Sequence, residues 1–440
     1  MEDSYIINGG KKLRGEVFLS GAKNVALKMI IVSLLFEEKV ILENIPQIKD
    51  VKELINLIND LGVKANFISK NVLEINPLGL NKNKVDFLYA SKIRVSFMFF
   101  APLLYKFKEC FIPNPGGCRI GARPIDRIVD GMKALGIEVD YNSDTGYYQA
   151  KMTKKPFGYY KFSKPTHTGT ELLIMLSVFS DKEVILDNCA VEPEIDDLIN
   201  FLNQSGAKIE KENTKLKIIG VKKLKFKKPY SIITDRNEAA TFIALSLATK
   251  GDLVLKNINF ELIKTFVEKL KSAGAIIEEK ESGIYFKTEN NLKAVSIETS
   301  PHPGFMTDWQ PNWAVLMTQA QGVSTIVERV FENRFSYVEE LKKLGAKIKF
   351  IEHKVKNPSE YYYFNYEKDK KYFQKIEIFG PTHLHGGVLN IADLRAGASL
   401  AVAALIAEGE SVVNQVSILE RGYEDFVEKV KSLGGIIRKV

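Results

Sequence analysis

Six glycines recur at intervals of about 70 residues, and each follows an amphipathic segment and precedes a short β-rich run. They are Gly62, Gly136, Gly206, Gly274, Gly345 and Gly434. Ahead of each glycine the apolar residues recur at three- and four-residue spacing, which predicts a helix with one buried face. Glycine ends such a helix in the left-handed conformation without a steric penalty. The chain is therefore predicted to consist of six repeated α/β units.

A second predicted helix opens each unit and is apolar on nearly all sides, as in GAKNVALKMIIVSLL and LRAGASLAVAALIA. A helix without a polar face is expected inside the protein, where strands and the amphipathic helices cover it. The six units predict an α/β fold with two lobes of three units each.

The break between the lobes is expected near KPYSIITDR. The first lobe would span 22–231, and the second lobe would combine 1–21 with 232–440. A cleft between lobes is a common place for an active site. The last glycine interval is longer, about 89 residues, because of a Tyr/Lys-rich insertion at 351–372, for which we expect a long β-hairpin or a loop.

The composition leaves three classes of partner open. A net charge of +8 suits nucleic acid, an anionic membrane or small anionic substrates. The three cysteines contain no CxxC pair, so neither a disulfide framework nor a zinc site is predicted. The N-terminus lacks the pattern of a signal peptide, and the longest apolar stretches fall short of the roughly 18 residues of a membrane span. A cytoplasmic protein without a metal is expected.

Several arginines stand in turns that precede predicted helices, where the helix dipole disfavours a cation. They include Arg123, Arg334, Arg395 and Arg421. Each arginine alone could pair with a neighbouring acid. Their repetition in equivalent turns instead favours an external anion bound at these helix starts.

The stretch PNPGGCRIGARPID places Cys118 among glycines and arginines. One interpretation is an incidental loop thiol. The other is a reactive thiol or proton donor, because nearby cations stabilise the thiolate and lower its pKa. The glycines and Arg119 and Arg123 favour the second interpretation.

The chain resembles the UDP-N-acetylglucosamine 1-carboxyvinyltransferases, the enolpyruvyl transferases of peptidoglycan synthesis. The resemblance runs from end to end and is carried by SGAKNVAL, PGGCRIGARPID, EPEIDDLINFL, SPHPGFMTDWQ, FENRF, ADLRAGASL and RGYE. It implies two inside-out α/β barrels of three units each. It also implies phosphoenolpyruvate and UDP-N-acetylglucosamine as substrates, with no metal or other cofactor.

The resemblance assigns roles to residues of this sequence. Cys118 would be the general acid, Asp308 the base beside the sugar 3-hydroxyl, and Lys23 and Arg395 further catalytic residues. The residues implied for phosphoenolpyruvate are Lys23, Asn24, Arg123, Arg334, Asp393, Arg395 and Arg421. The residues implied for UDP-N-acetylglucosamine are Asn24, Arg94, Arg123, Pro124, Ile125, Asp126, Arg127, His167, Thr168, Asp308 and Val330.

Three positions depart from the usual pattern of that family. Lys28 stands where a proline is common, Arg127 stands where an apolar residue is common, and His167 lies at a nucleotide-contacting position. The alternative is therefore enolpyruvyl transfer to another nucleotide or nucleotide sugar in a secondary pathway.

Two more distant alternatives are disfavoured. The enzymes that act on shikimate 3-phosphate lack the GGC loop. An RNA-end cyclase of related architecture would require a nucleophilic histidine near the C-terminus, and the last 55 residues contain none.

Overall fold

The structure is a computed structural model that describes residues 3–116 and 125–440. Within these residues, contacts between Cα atoms divide the chain into two compact units. We call 21–116 with 125–233 the first lobe, and 3–20 with 234–440 the second lobe. Each lobe is described by itself below.

The apolar helices predicted to lie inside are indeed mostly buried. In the first lobe they are Lys23–Val32, Arg94–Phe99 continuing as Phe100–Phe107, and His167–Ser177. In the second lobe they are Arg236–Ala248, Gln310–Thr318 and Leu394–Ile406. Every residue of Arg236–Ala248 is buried, as expected for a helix that has no polar face.

An amphipathic helix follows in each of the six repeats. These outer helices are Lys49–Asp60, Asp126–Ala134, Pro193–Gln204, Lys264–Ser272, Tyr337–Lys343 and Phe426–Ser432. The six glycines that follow them all have positive φ, between 89° and 99°. The predicted left-handed ends of these helices are confirmed.

Each lobe contains three β-sheets within the described residues. The strands of the first lobe are Val40–Glu43, Lys64–Ser69, Val72–Asn76 and Tyr230–Ser231; Glu109–Pro113, Glu138–Asn142 and Tyr147–Lys151; and Gly158–Lys161, Val184–Asp187, Lys208–Glu212 and Lys215–Ile219. The strands of the second lobe are Gly15–Phe18, Leu253–Lys256, Ile276–Lys280 and Gly283–Lys287; Ile297–Glu298, Gly322–Val327, Lys347–Phe350 and Lys375–Gly380; and Ser4–Asn8, Val388–Asn390, Glu410–Asn414 and Ile436–Lys439.

The six sheets share one pattern of pairing. In each four-stranded sheet one inner strand has a parallel neighbour on one side and an antiparallel neighbour on the other. In the three-stranded sheet the parallel neighbour is reduced to a single bridge, which pairs Lys84 with Phe111 of the strand Glu109–Pro113. This repetition confirms the predicted α/β fold of six related units.

The opening segment of the chain belongs to two sheets of the second lobe. Ser4–Asn8 pairs antiparallel with both Glu410–Asn414 and Ile436–Lys439. Gly15–Phe18 pairs parallel with Leu253–Lys256.

The insertion at 351–372 is a loop with one short helix, Pro358–Tyr361, and forms no β-hairpin of its own. It connects the paired strands Lys347–Phe350 and Lys375–Gly380. Other short helices are Ser33–Leu35, Pro77–Gly79, Phe87–Lys92, Phe260–Ile263 and Val416–Arg421. In the described parts of the chain, the helices are too short or too polar to cross a bilayer.

Candidate active site

Three of the predicted site residues lie outside the described residues. They are Cys118, Arg123 and Pro124. The roles proposed for them from the sequence stay predictions.

The second lobe brings together three predicted residues that are distant in sequence. The carboxylate of Asp308 accepts a hydrogen bond from Arg334 Nη2 on Oδ1, at 2.7 Å, and one from Arg395 Nε on Oδ2, at 3.2 Å. The side chains of both arginines are buried, whereas that of Asp308 is 21% exposed. We call these three residues the Asp308 cluster.

Local structure at the starts of two internal helices positions this cluster. Asp308 lies in the turn before Gln310–Thr318. Asp393 caps Leu394–Ile406, and its Oδ1 accepts hydrogen bonds from the backbone N–H groups of Arg395 and Ala396, at 2.9 and 3.1 Å. The cap holds Arg395 in the first helical turn.

The charges in the cluster are strongly coupled. Burial alone would raise the pKa of Asp308, but the two guanidinium groups outweigh it and hold that pKa below its usual range. Arg334 Nε and Arg395 Nη1 are buried, and no described residue accepts a hydrogen bond from them. The two arginines thus retain donors that an anionic ligand could use.

A second buried carboxylate, which sequence reasoning missed, supports this region. Glu328 accepts hydrogen bonds from Thr299 and Thr307 and from the backbone N–H groups of Val330 and Phe331, at 2.7 to 3.0 Å. Burial raises the pKa of Glu328 despite these donors. Val330 is therefore positioned through its backbone.

Thr307 links Glu328 to Arg334 of the Asp308 cluster. Its hydroxyl donates to Glu328 Oε2 at 2.8 Å and accepts from Arg334 Nη1 at 2.7 Å. No sequence pattern indicated this link.

A polar network also surrounds Arg395. Its guanidinium lies 5.6 Å from the centre of the Tyr423 ring. The Tyr423 hydroxyl lies 2.8 Å from Thr241 Oγ1, to which Asn312 Nδ2 donates at 2.9 Å. Arg421 lies two residues before Tyr423, at the end of Val416–Arg421 and before the outer helix rather than within it.

In the first lobe Lys23 is the first residue of its internal helix and is buried. Its Nζ lies 2.7 Å from Asp50 Oδ2 at the start of the outer helix. Asn24 follows it and is half-buried, as is Arg94 at the start of Arg94–Phe99.

The predicted nucleotide segment opens the helix Asp126–Ala134. Ile125 is buried just before the helix, and Asp126 is exposed in its first turn. Arg127 is half-buried, and burial lowers its pKa. Burial also lowers the pKa of Lys164, and the charge of Arg127 lowers it further, so these two cations are neighbours.

His167 and Thr168 are the first two residues of the helix His167–Ser177. His167 Nε2 lies 3.3 Å from Glu171 Oε1, and Lys28 Nζ lies 3.2 Å from Glu171 Oε2. We call Lys28, His167 and Glu171 the Glu171 cluster. Lys28 and His167 are two of the positions that depart from the usual family pattern, whereas no prediction from the sequence included Glu171.

Comparison with known proteins gives one family match and many relatives. Residues 7–430 match the family EPSP synthase (3-phosphoshikimate 1-carboxyvinyltransferase). A UDP-N-acetylglucosamine 1-carboxyvinyltransferase of Bartonella henselae is 39% identical over 100% of this chain and 99% of its own length. One of Halothermothrix orenii is 38% identical over 99% of both chains.

Solved structures show the same fold at low identity. The enolpyruvyl transferase NikO from Streptomyces tendae has a TM-score of 0.85 at 20% identity, covering 100% of this chain and 99% of its own. An EPSP synthase from Acinetobacter baumannii has a TM-score of 0.73 at 16% identity and covers both chains completely.

Proposed function

This chain belongs to the EPSP synthase family of 1-carboxyvinyltransferases, and from that premise we propose that it acts on UDP-N-acetylglucosamine. The reaction would transfer the enolpyruvyl group of phosphoenolpyruvate to the sugar 3-hydroxyl and release phosphate. The observation that carries the proposal is the 38–39% identity over nearly the whole chain with relatives named for this reaction. By the same argument the chain is a transferase that serves peptidoglycan synthesis, and we propose the cytoplasm as its location.

The chemistry is an addition followed by an elimination. In the addition, C3 of phosphoenolpyruvate gains a proton, while the sugar hydroxyl loses its proton and bonds to C2. In the elimination, C3 loses a proton and the bond from C2 to the phosphate oxygen breaks. Each step requires a proton donor, a proton acceptor and cations beside developing negative charge.

The Asp308 cluster supports the roles of acceptor and anion site. Asp308 would take the proton of the sugar hydroxyl, and Arg334 and Arg395 would hold the anionic groups of phosphoenolpyruvate, with Arg421, Asp393, Lys23, Asn24 and Arg123 as further contacts. Ligand anions that share the two guanidinium charges would weaken their hold on Asp308. The pKa of the carboxylate would then rise toward its ordinary value, which makes it a better base.

The first lobe would contribute the nucleotide contacts. Arg127, His167 and Thr168 lie at adjacent helix starts, together with Ile125 and Asp126. Arg94 and Pro124 would complete them from the first lobe, and Asp308 and Val330 from the second. Cys118 would be the general acid.

An acceptor-selectivity assay tests the proposal. Phosphate release from phosphoenolpyruvate is measured with UDP-N-acetylglucosamine, with UMP and with shikimate 3-phosphate as separate acceptors. We expect turnover with UDP-N-acetylglucosamine alone. Release with only UMP or only shikimate 3-phosphate would overturn the proposal, and release with UMP would favour a secondary nucleotide pathway.

A further inference from the structure

The Glu171 cluster places charged side chains in the core of the first lobe. Glu171 is fully buried and Lys28 is nearly so, on two different internal helices. Removing each charge from water is strongly unfavourable unless partners compensate. Each oxygen of the Glu171 carboxylate lies within ion-pair distance of one side chain, Lys28 at 3.2 Å or His167 at 3.3 Å, although neither contact has the geometry of a hydrogen bond. The buried carboxylate is therefore compensated by charge, and a protonated His167 would add the second positive charge.

His167 connects this buried pair to the surface of the lobe. Its Nε2 atom faces Glu171 and is shielded from solvent. The side chain as a whole is 23% exposed, so the exposed fraction belongs to its other atoms. One edge of the ring therefore contacts the buried carboxylate while another part remains accessible to a ligand.

The charged groups that face His167 act on its pKa in opposite directions, and their net effect favours the protonated form. They are Glu171 on its own helix, Lys28 on the neighbouring internal helix and Glu192 just before the helix Pro193–Gln204. Burial lowers the pKa of His167 and Lys28 lowers it further, but the two carboxylates outweigh them and the net shift is upward. Glu192 Oε2 is buried and accepts no hydrogen bond from a described residue.

Two further cations lie near the same helix start. A Cβ atom added at Gly169 would lie 3.2 Å from Ile128 Cγ1, so the first turns of His167–Ser177 and Asp126–Ala134 are adjacent. Arg127 lies in one of these turns and Lys164 lies just before the other. The charge of Arg127 lowers the pKa of Lys164, so a bound anion would offset this repulsion and add to the effect of Asp126 on Arg127.

We propose that His167 is a proton-dependent cation of the nucleotide-sugar site, which Glu171 and Lys28 position beside Arg127 and Lys164 to bind the substrate diphosphate. The inference rests on the proposed function. Its consequence is that UDP-N-acetylglucosamine binds more tightly when His167 is protonated and takes up a proton when it binds near neutral pH.

Calorimetry in two buffers of different ionisation enthalpy measures this uptake directly. UDP-N-acetylglucosamine is a suitable probe because its diphosphate is esterified at both ends and keeps its charge between pH 6 and 9. For the full chain we expect proton uptake at pH 7.5 and an affinity that falls as the pH rises. His167→Gln should abolish the uptake and lower the affinity about tenfold at pH 6.5, with little effect at pH 9.

A second variant separates a positioning role from general damage. Glu171→Gln keeps the shape of the side chain but removes the charge that favours the imidazolium. As the pH is raised, the affinity for UDP-N-acetylglucosamine should therefore begin to fall at a lower pH than it does in the unmodified protein. If Glu171→Gln does not fold, the double variant Lys28→Met/Glu171→Gln, which also removes the unpaired ammonium, serves instead. The exposed His383 provides the control, since His383→Gln should leave proton uptake unchanged.

The outcomes distinguish the two proposals. Normal turnover with UDP-N-acetylglucosamine, combined with equal proton uptake in His167→Gln, would overturn the inference and leave the function intact. Binding with His167-dependent uptake but no phosphate release would overturn the function and support the site. The absence of any binding would overturn both.

Discussion

The carboxylates of Asp308 and Glu171 each lie between two cationic side chains, but the cations are of different kinds. Asp308 in the second lobe contacts two guanidinium groups, which remain charged at any accessible pH. Glu171 in the first lobe contacts an ammonium and an imidazole, and imidazole is the side-chain group whose ordinary pKa lies closest to neutrality. The same arrangement at the start of an internal helix therefore produces a permanent charge in one lobe and a switchable charge in the other.

The largest effect is expected at Asp308. Asp308→Asn removes the proton acceptor and should lower kcat by about 10³-fold, within the range of a lost general base. Phosphate release measures it, with Asp252→Asn as the control because Asp252 forms an exposed pair with Arg14. A loss below threefold would show that Asp308 is not the base.

A smaller effect is expected when a guanidinium becomes an ammonium. Arg395→Lys keeps the charge but loses the planar set of donors, so KM for phosphoenolpyruvate should rise about 10- to 100-fold. KM for UDP-N-acetylglucosamine should change less. The exposed Arg14→Lys is the matched control, and an equal rise in both KM values would argue that Arg395 holds the lobe together rather than the ligand.

The Glu171 cluster should affect stability more than it affects chemistry. Lys28→Met breaks a buried ion pair and leaves Glu171 with one cationic partner, so the free energy of unfolding should fall by about 3 kcal/mol. Urea denaturation measures this value. Lys39→Met, which breaks the exposed pair with Glu74, should cost less than about 1 kcal/mol, and equal losses in the two variants would contradict the comparison.

The smallest effect is expected at Tyr423. Tyr423→Phe keeps the ring beside Arg395 but removes the hydroxyl that contacts Thr241. The loss of one neutral hydrogen bond, about 1 kcal/mol, should raise KM for phosphoenolpyruvate about fivefold. Tyr285→Phe removes a hydroxyl that contacts Ser282 at an exposed position, so it should not change KM for phosphoenolpyruvate. An equal rise of KM in both variants would show that the Tyr423 hydroxyl has no specific role in binding phosphoenolpyruvate.

Much of the fold could be predicted from the sequence because its signals are local. The helix-ending glycines and the apolar internal helices each depend on a few neighbouring residues. The insertion at 351–372 was harder to assign, since its tyrosines fit a strand as well as a loop. The structure shows that Tyr361 ends a short helix and that the other tyrosines lie in the loop between two paired strands.

The site could be predicted only in part. The resemblance grouped Arg334 and Arg395 around phosphoenolpyruvate and assigned Asp308 to the sugar hydroxyl. The direct contact of the three side chains depends on how three repeats pack, which no local spacing encodes. Glu171 was missed, although a charged residue within the apolar run ELLIMLS was a usable signal. Lys28 gave the same signal in KMIIVSLL, and two lone opposite charges in buried helices indicate a pair.

The comparison between the Asp308 cluster and the Glu171 cluster is tested most directly by the pH dependence of KM for UDP-N-acetylglucosamine and of KM for phosphoenolpyruvate. Both are measured on the unmodified protein between pH 7 and 9, where the phosphate of phosphoenolpyruvate is almost fully ionised. Because the pKa of His167 is raised above its ordinary value, its imidazolium persists to a higher pH than that of a free histidine and is lost as the pH rises further, so KM for UDP-N-acetylglucosamine should increase several-fold with pH. KM for phosphoenolpyruvate should stay constant within twofold, because Arg334 and Arg395 keep their charge. Two KM values that rise together, or a constant KM for the nucleotide sugar, would contradict the account.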